Sequence, residues 1–339
     1  MFCEKSLVST EDGWVINTSL PNKVLDINLK PQSFKTEKKQ IKGYKIILSN
    51  GQKIEVSEGH LLRMYDKLNP YDVPVDKVEL GTQLGIKRIN TFKNSVFPIY
   101  QNLTKIDKDF VYIFGCMVAT GMDTLNETPT FLFNSQRTDY KFIRDFFSKW
   151  DPKAFVNVCK QITNPIEELF NAPREVVLAF LSGLIGPSGT FRTSNLALLH
   201  HIANLMAFIG LKARLSWQTF YDGTNHYQLN ILEEFGLDTS YFSNLDDIYK
   251  FRKRKEVHGW IINKEDLITF KGTSNNINSY ISGKTKTLSK SAIECIPIDI
   301  EHKGYFPVTI ISKESTKVNG ISIGTETGRY ICMGLNTHD

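Results

Sequence analysis

No two of the five cysteines, Cys3, Cys116, Cys159, Cys295 and Cys332, form a CxxC pair, and their number is odd. That scatter argues against a disulfide framework and against a structural zinc site. Long apolar runs are missing too. The longest, "VVLAFLSGLI" from Val176 to Ile185, is about half of what a membrane helix needs and is closed by Gly186-Pro187. No basic stretch followed by an apolar one opens the chain, so a secretory leader is not expected and a soluble cytoplasmic protein is. An excess of one charge is lacking as well: 41 Lys and Arg against 36 Asp and Glu leave +5. That balance permits contact with nucleic acid without requiring it.

What is present fits a globular protein. Hydrophobic residues make up 41% and charged residues 23%, which excludes disordered and fibrous classes. A chain of 339 residues is long for one core, so two domains, or one inserted into another, are expected.

From residue 3 to about 95 the sequence reads as short strands between turn signals. In "GYKIILSNGQKIEVSEGHLL" two apolar runs, Tyr44 to Leu48 and Ile54 to Val56, flank Asn50-Gly51, a dipeptide suited to the positive φ angles of a tight hairpin. Asp12-Gly13 offers another turn. Near residue 108 the pattern changes. "FVYIFGCMVATGM" and "REVVLAFLSGLIGPSGTF" are apolar almost all round, with small residues at Gly115, Ala119, Gly121, Ser182 and Gly183, as helices with closely approaching backbones require. Each is expected to close at a glycine, Gly121 and Gly189. "SNLALLHHIANLMAFIGLKARLSW" reads as an amphipathic helix ending at Gly210, then a strand from Lys212 to Trp217, and His200 and His201 read as packing residues of that helix. "KGTSNNINSYISGKTKTLSK" reads as a linker or mobile loop, and strand-like segments return in "CIPIDI", "FPVTIIS", "NGISIG" and "RYICMGL". The order is β, then α/β, then β, as insertion of one domain into a loop of another would give.

Four features converge: Cys3 ahead of a β-rich segment, "SEGH" with Ser57 and His60 after the hairpin, the closing "GLNTHD", and the paired glycine-closed apolar helices. Together they resemble an intein, a self-splicing protein whose horseshoe-shaped, all-β Hint fold is interrupted by a homing endonuclease of the LAGLIDADG class. "VSEGHLL" resembles the family's second block, with Ser57 in place of the usual Thr. "RYICMGLNTHD" resembles the last block, which usually ends in His-Asn. The resemblance implies a multi-domain α+β protein. Residues 1–98 and 292–339 would build the Hint domain, 99–270 an α/β endonuclease domain with an internal pseudo-two-fold repeat, and 271–291 a linker. It implies a monomer acting on flanking extein sequences of a microbial or viral host protein, with no membrane partner.

The implied chemistry needs these residue types. A thiol at Cys3 can attack the Phe2 carbonyl and turn the Phe2-Cys3 peptide bond into a thioester, a better electrophile for the next acyl transfer. His60 would hydrogen-bond and then protonate the scissile amide nitrogen. Ser57 would orient that amide or stabilise the oxyanion. His338 would assist the final cyclisation. Asp339 departs from the pattern, since a carboxyl group can cyclise only to a strained anhydride, so slowed or pH-dependent C-terminal cleavage is expected. Splicing needs no cofactor.

The endonuclease half departs further. Active members carry a carboxylate before each closing glycine to hold divalent metal. Here those positions are Thr120 and Ser188, with Gly186 at the other usual acidic place and Asp123 two residues past Gly121. Mg²⁺ is expected only if the endonuclease is active, and a degenerate nuclease retaining some affinity for double-stranded DNA is the expected state. Arg252, Lys253, Arg254 and Lys255 are the candidate DNA contacts. Plainer readings stand beside these: a buried free thiol for Cys3, a surface imidazole for His60, a turn former for Ser57, a solvated face for the basic cluster. An active DNA endonuclease, or a non-catalytic DNA-binding module on a Hint-like scaffold, are the alternatives.

Overall fold

Paired strands with alternating apolar residues build a large antiparallel sheet in a mixed α+β chain that has, among the described residues, eight α-helices. The computed structural model describes residues 2–3, 6–10, 13–16, 23–25, 30–65, 70–87, 108–119, 139–161, 169–170, 172–186, 189–220, 223–231, 259–298, 304–327, 329–333 and 335–338. The chain divides into two compact units. The first comprises Met1–Lys93, Ala207–Lys212 and Glu256–Asp339, and the second Asn94–Met206 and Ala213–Lys255.

The first unit is built on β1 (Phe2–Cys3), β2 (Leu7–Thr10), β3 (Gly13–Ile16), β4 (Lys23–Leu25), β5 (Pro31–Leu48), β6 (Lys53–Ser57), β7 (Leu61–Met64), β8 (Tyr71–Pro74) and β9 (Gln83–Lys87). Three late strands complete it: β13 (Tyr305–Thr325), β14 (Arg329–Cys332) and β15 (Leu335–His338). The sheet order is β3-β2-β14-β15-β7-β9-β13-β1-β6-β5-β4, with β8 on β7. The long β13 serves three partners, β9, β5 and β1. Tyr305–Thr309 pair with β9, and beyond a shift between Ile310 and Ser312 the strand follows β5 as far as the Thr325–Phe34 pair. Inward residues of these strands, among them Val56, Leu84, Ile86, Val308 and Ile321, form the core.

The hairpin signal at Asn50-Gly51 is present with a refinement. Leu48 N–H donates to the Gln52 carbonyl at 2.9 Å, Gly51 N–H donates to the Leu48 carbonyl at 2.8 Å, and only Gly51 has positive φ (89°). The loop is therefore three residues closed by a left-handed glycine rather than a two-residue turn. The polar stretch after residue 270, expected as a linker, carries helix. Among the described residues 259–298 lie α6 (Lys264–Leu267), α7 (Asn275–Ile281) and α8 (Lys290–Glu294). The Ser274 hydroxyl caps α7 by accepting from Ile277 N–H, and Ile277 and Tyr280, three apart, are buried. The bridge Trp260–Leu288 closes this stretch on itself, and Ile261–Tyr305 ties it to β13 within the first unit. "CIPIDI", expected as a strand, is not one in its described residues Cys295–Ile298.

In the second unit α1 (Lys108–Ala119) packs on α4 (Arg174–Ile185), joined by α2 (Tyr140–Phe147), α3 (Pro152–Gln161), β10 (Thr190–Thr193), α5 (Leu196–Phe208), β11 (Ala213–Thr219) and β12 (Asn225–Ile231). The small residues explain the helix pair. A Cβ at Gly115 would collide with the Phe180 carbonyl, and one at Gly183 with the Tyr112 carbonyl. Gly186 (φ 59), not Gly189, caps α4, because Pro187 cannot continue a helix; Gly189 (φ 66) instead precedes β10. Gly121 lies outside the described residues. On α5, His200 is buried and His201 exposed. No helix among the described residues is long and apolar enough to cross a membrane.

Candidate active site

β1 is only two residues long, yet both of its edges are paired. Phe2 faces Ile321 of β13 and Val56 of β6, and Cys3 faces Gly320. The Phe2–Cys3 peptide bond is thereby held inside the sheet. Phe2 is fully buried, which stabilises this docking by about 2–3 kcal/mol. Its ring meets the His60 imidazole edge-on, centroids 4.7 Å apart and planes at 77°.

His60 is placed by the turn that follows β6. Its N–H donates to the Ser57 carbonyl at 3.1 Å and its carbonyl accepts from Val75 at 2.9 Å. Ser57, the last residue of β6, is buried opposite Gly43. The His60 ring is buried as well, and its Nε2 hydrogen-bonds the Thr337 hydroxyl, itself buried in β15. β15 lies against β7 with Thr337 opposite Leu62 and His338 opposite Leu61. Thus Phe2-Cys3, Ser57, His60 and the backbone carrying His338 come together in one patch of the first unit.

Two residues not anticipated from the sequence join them. Thr337 is one. The other is Glu55, whose carboxylate accepts a hydrogen bond from the Cys3 thiol and an ion pair from Lys53 at 2.5 Å. Burial pushes Glu55 up, but the Lys53 hydrogen bond and charge, the Cys3 hydrogen bond and the Lys45 charge outweigh it and leave the carboxyl below its ordinary range. Strand alternation offered the available signal, since Glu55 and Ser57 share a face of β6 and Thr337 occupies an inward position shared with buried Leu335.

A second charged group borders β15. Arg329, paired with His338 across the β14–β15 hairpin, donates to Asp72 at 3.2 and 2.6 Å, and Arg63 reaches the same carboxylate at 3.4 Å. Burial raises Asp72, yet the two guanidinium groups prevail and hold it below the usual aspartate range. Two cations on one anion leave the cluster net positive. The hairpin is anchored further by Gln52, fully buried, whose Nε2 donates to the Met333 carbonyl at 3.1 Å.

Cys3 is partly exposed, whereas Cys116, Cys159 and Cys332 are buried and burial pushes the Cys159 thiol upward. Asp339, Thr120, Ser188, Asp123 and the basic residues Arg252, Lys253, Arg254 and Lys255 lie outside the described residues, as does the His338 side chain. Among the described residues no three His, Cys, Asp or Glu side chains gather as a metal site requires. Compared with protein-family models and with curated proteins, the chain matches none.

Proposed function

We propose that the chain is an intein that excises itself by an N–S acyl shift at Cys3, with both flanks of the first unit forming a Hint-type splicing domain and the second unit a LAGLIDADG-like insertion. The observation that carries this reading is the Phe2-Cys3 bond clamped between β6 and β13 with the buried His60 imidazole against Phe2. In this reading the Cys3 thiol adds to the Phe2 carbonyl carbon, the carbon–nitrogen bond breaks, and His60 delivers the proton the departing amine needs. Ser57 orients the amide. His338 assists cleavage at the far junction, where Asp339 replaces the cyclising asparagine and slows the step.

For the insertion, the close packing of α1 on α4 through Gly115 and Gly183 supports the helix-pair likeness. Its metal chemistry does not fit. Thr120 and Ser188 are neutral hydroxyls where two carboxylates would have to balance Mg²⁺ charge, so in this reading metal-dependent DNA cleavage is lost. The test places the chain between two reporters, the second opening with Cys, Ser or Thr, with and without Asp339→Asn. Ligated reporters and a free middle fragment are expected, faster for Asp339→Asn. Persistent precursor in both versions, or processing that survives Cys3→Ala, overturns the reading.

A further inference from the structure

We propose that Glu55 is the general base that takes the Cys3 thiol proton during the acyl shift, an inference that rests on the splicing reading above. The antiparallel pairing of Phe2 with Val56 sets Cys3 beside Glu55, the residue before Val56 on β6. The thiol acts on the Glu55 carboxylate as a hydrogen-bonding neighbour and helps hold it below its ordinary range. Successive residues of a strand point to opposite faces. Phe2 turns inward onto His60, so Cys3 turns to the partly exposed face that holds Glu55. The two residues that share the scissile amide thus meet an imidazole, against the Phe2 ring, and a carboxylate, beside Cys3.

That arrangement balances the protons of the step. As sulfur bonds to the Phe2 carbonyl carbon, the thiol proton passes to Glu55, and as the carbon–nitrogen bond breaks, protonated His60 gives a proton to the Cys3 nitrogen. Return of a proton from Glu55 to His60 through solvent restores both groups. Among the described residues, the charged groups that meet Glu55 cannot take the proton. Lys53 on its own strand and Lys45, its partner on β5, are cations, and Lys45 reaches Glu314 of β13 at 3.5 Å. They do keep Glu55 ionised at neutral pH, ready to accept. A carboxylate is a weaker base than a thiolate, so transfer proceeds with the attack rather than before it.

The test follows release of an upstream reporter by dithiothreitol as a function of pH, in the full chain, for the unsubstituted protein, Glu55→Gln and Cys3→Ala. Glu55→Gln keeps the shape and an acceptor oxygen but is a far poorer base. It is expected to slow release about 10²-fold near neutral pH and to approach the unsubstituted rate above about pH 9, where a free thiol, ordinary pKa about 8.5, ionises unaided. Recovery at high pH also shows that the site is folded. Equal rates at neutral pH, or the same slowing at every pH, overturn the role of Glu55 while Cys3-dependent release leaves the splicing reading standing. Absent release from the unsubstituted protein, or release that survives Cys3→Ala, overturns both.

Discussion

His60 has an aromatic edge on one side and a hydroxyl on the other, and both neighbours are buried. The Thr337 hydroxyl can donate to a neutral Nε2 or accept from a protonated one, so it can hold the ring through a full proton cycle. Thr337→Val removes that partner from a buried imidazole. It is expected to destabilise the chain by about 1–3 kcal/mol in denaturant unfolding and to slow thiol-induced release, with Thr337→Ser restoring both. An unchanged midpoint and rate for Thr337→Val would show the contact to be incidental. At this scale the sequence exposes residues that act through local spacing: Ser57 and His60 lie three apart around one turn. Glu55 and Thr337 acquire their partners across strands far apart in the chain, and spacing along one segment carries no record of that.

Asp72 joins three elements, since Arg63 of β7 and Arg329 of β14 both meet it on β8. Its folded pKa lies below the unfolded one, so the stabilisation is present above the ordinary aspartate range and is lost as pH falls through the depressed value. Asp72→Asn should therefore lower stability by about 1–2 kcal/mol at neutral pH, a figure discounted because the side chain is one-fifth exposed (21%). The difference should close as pH drops below the aspartate range of about 3.9. A pH-independent difference in unfolding midpoint would assign the loss to packing instead. The helix pair gives a second element-scale expectation. Gly183→Ala forces a methyl into the Tyr112 carbonyl and should destabilise the second unit by about 3 kcal/mol, read as a lowered thermal midpoint, whereas an unshifted midpoint would show that the helices part without cost. Glycine placement made this contact legible in advance. α4 ends three residues before the glycine that its sequence suggests, because Gly186 and Gly189 both take positive φ and the proline between them decides which one caps.

Over the whole molecule, the β, α/β, β order was readable because periodicity changes twice along the chain. The strand order was not. β13 is a single 21-residue strand, yet the sequence around it reads as separate apolar pieces, "FPVTIIS" and "NGISIG", because its solvent-facing middle at Glu314–Lys317 is polar. The helices of 259–298 were hidden by a composition rich in Ser, Asn, Gly and Lys, which signals loops unless a cap and a buried i, i+3 pair are picked out within it. Every group assigned to the acyl shift belongs to the first unit, although Cys3 and Thr337 are separated by most of the sequence. In the proposed mechanism the peptide bond held by β1 is the bond attacked. That assignment is tested most directly by the intact mass of the fragment that dithiothreitol releases from a reporter fused upstream of the chain. A fragment ending at Phe2 is expected, as a thioester adduct or its hydrolysed acid, from the unsubstituted protein and not from Cys3→Ala; a fragment ending elsewhere, or the same fragment from Cys3→Ala, overturns the assignment.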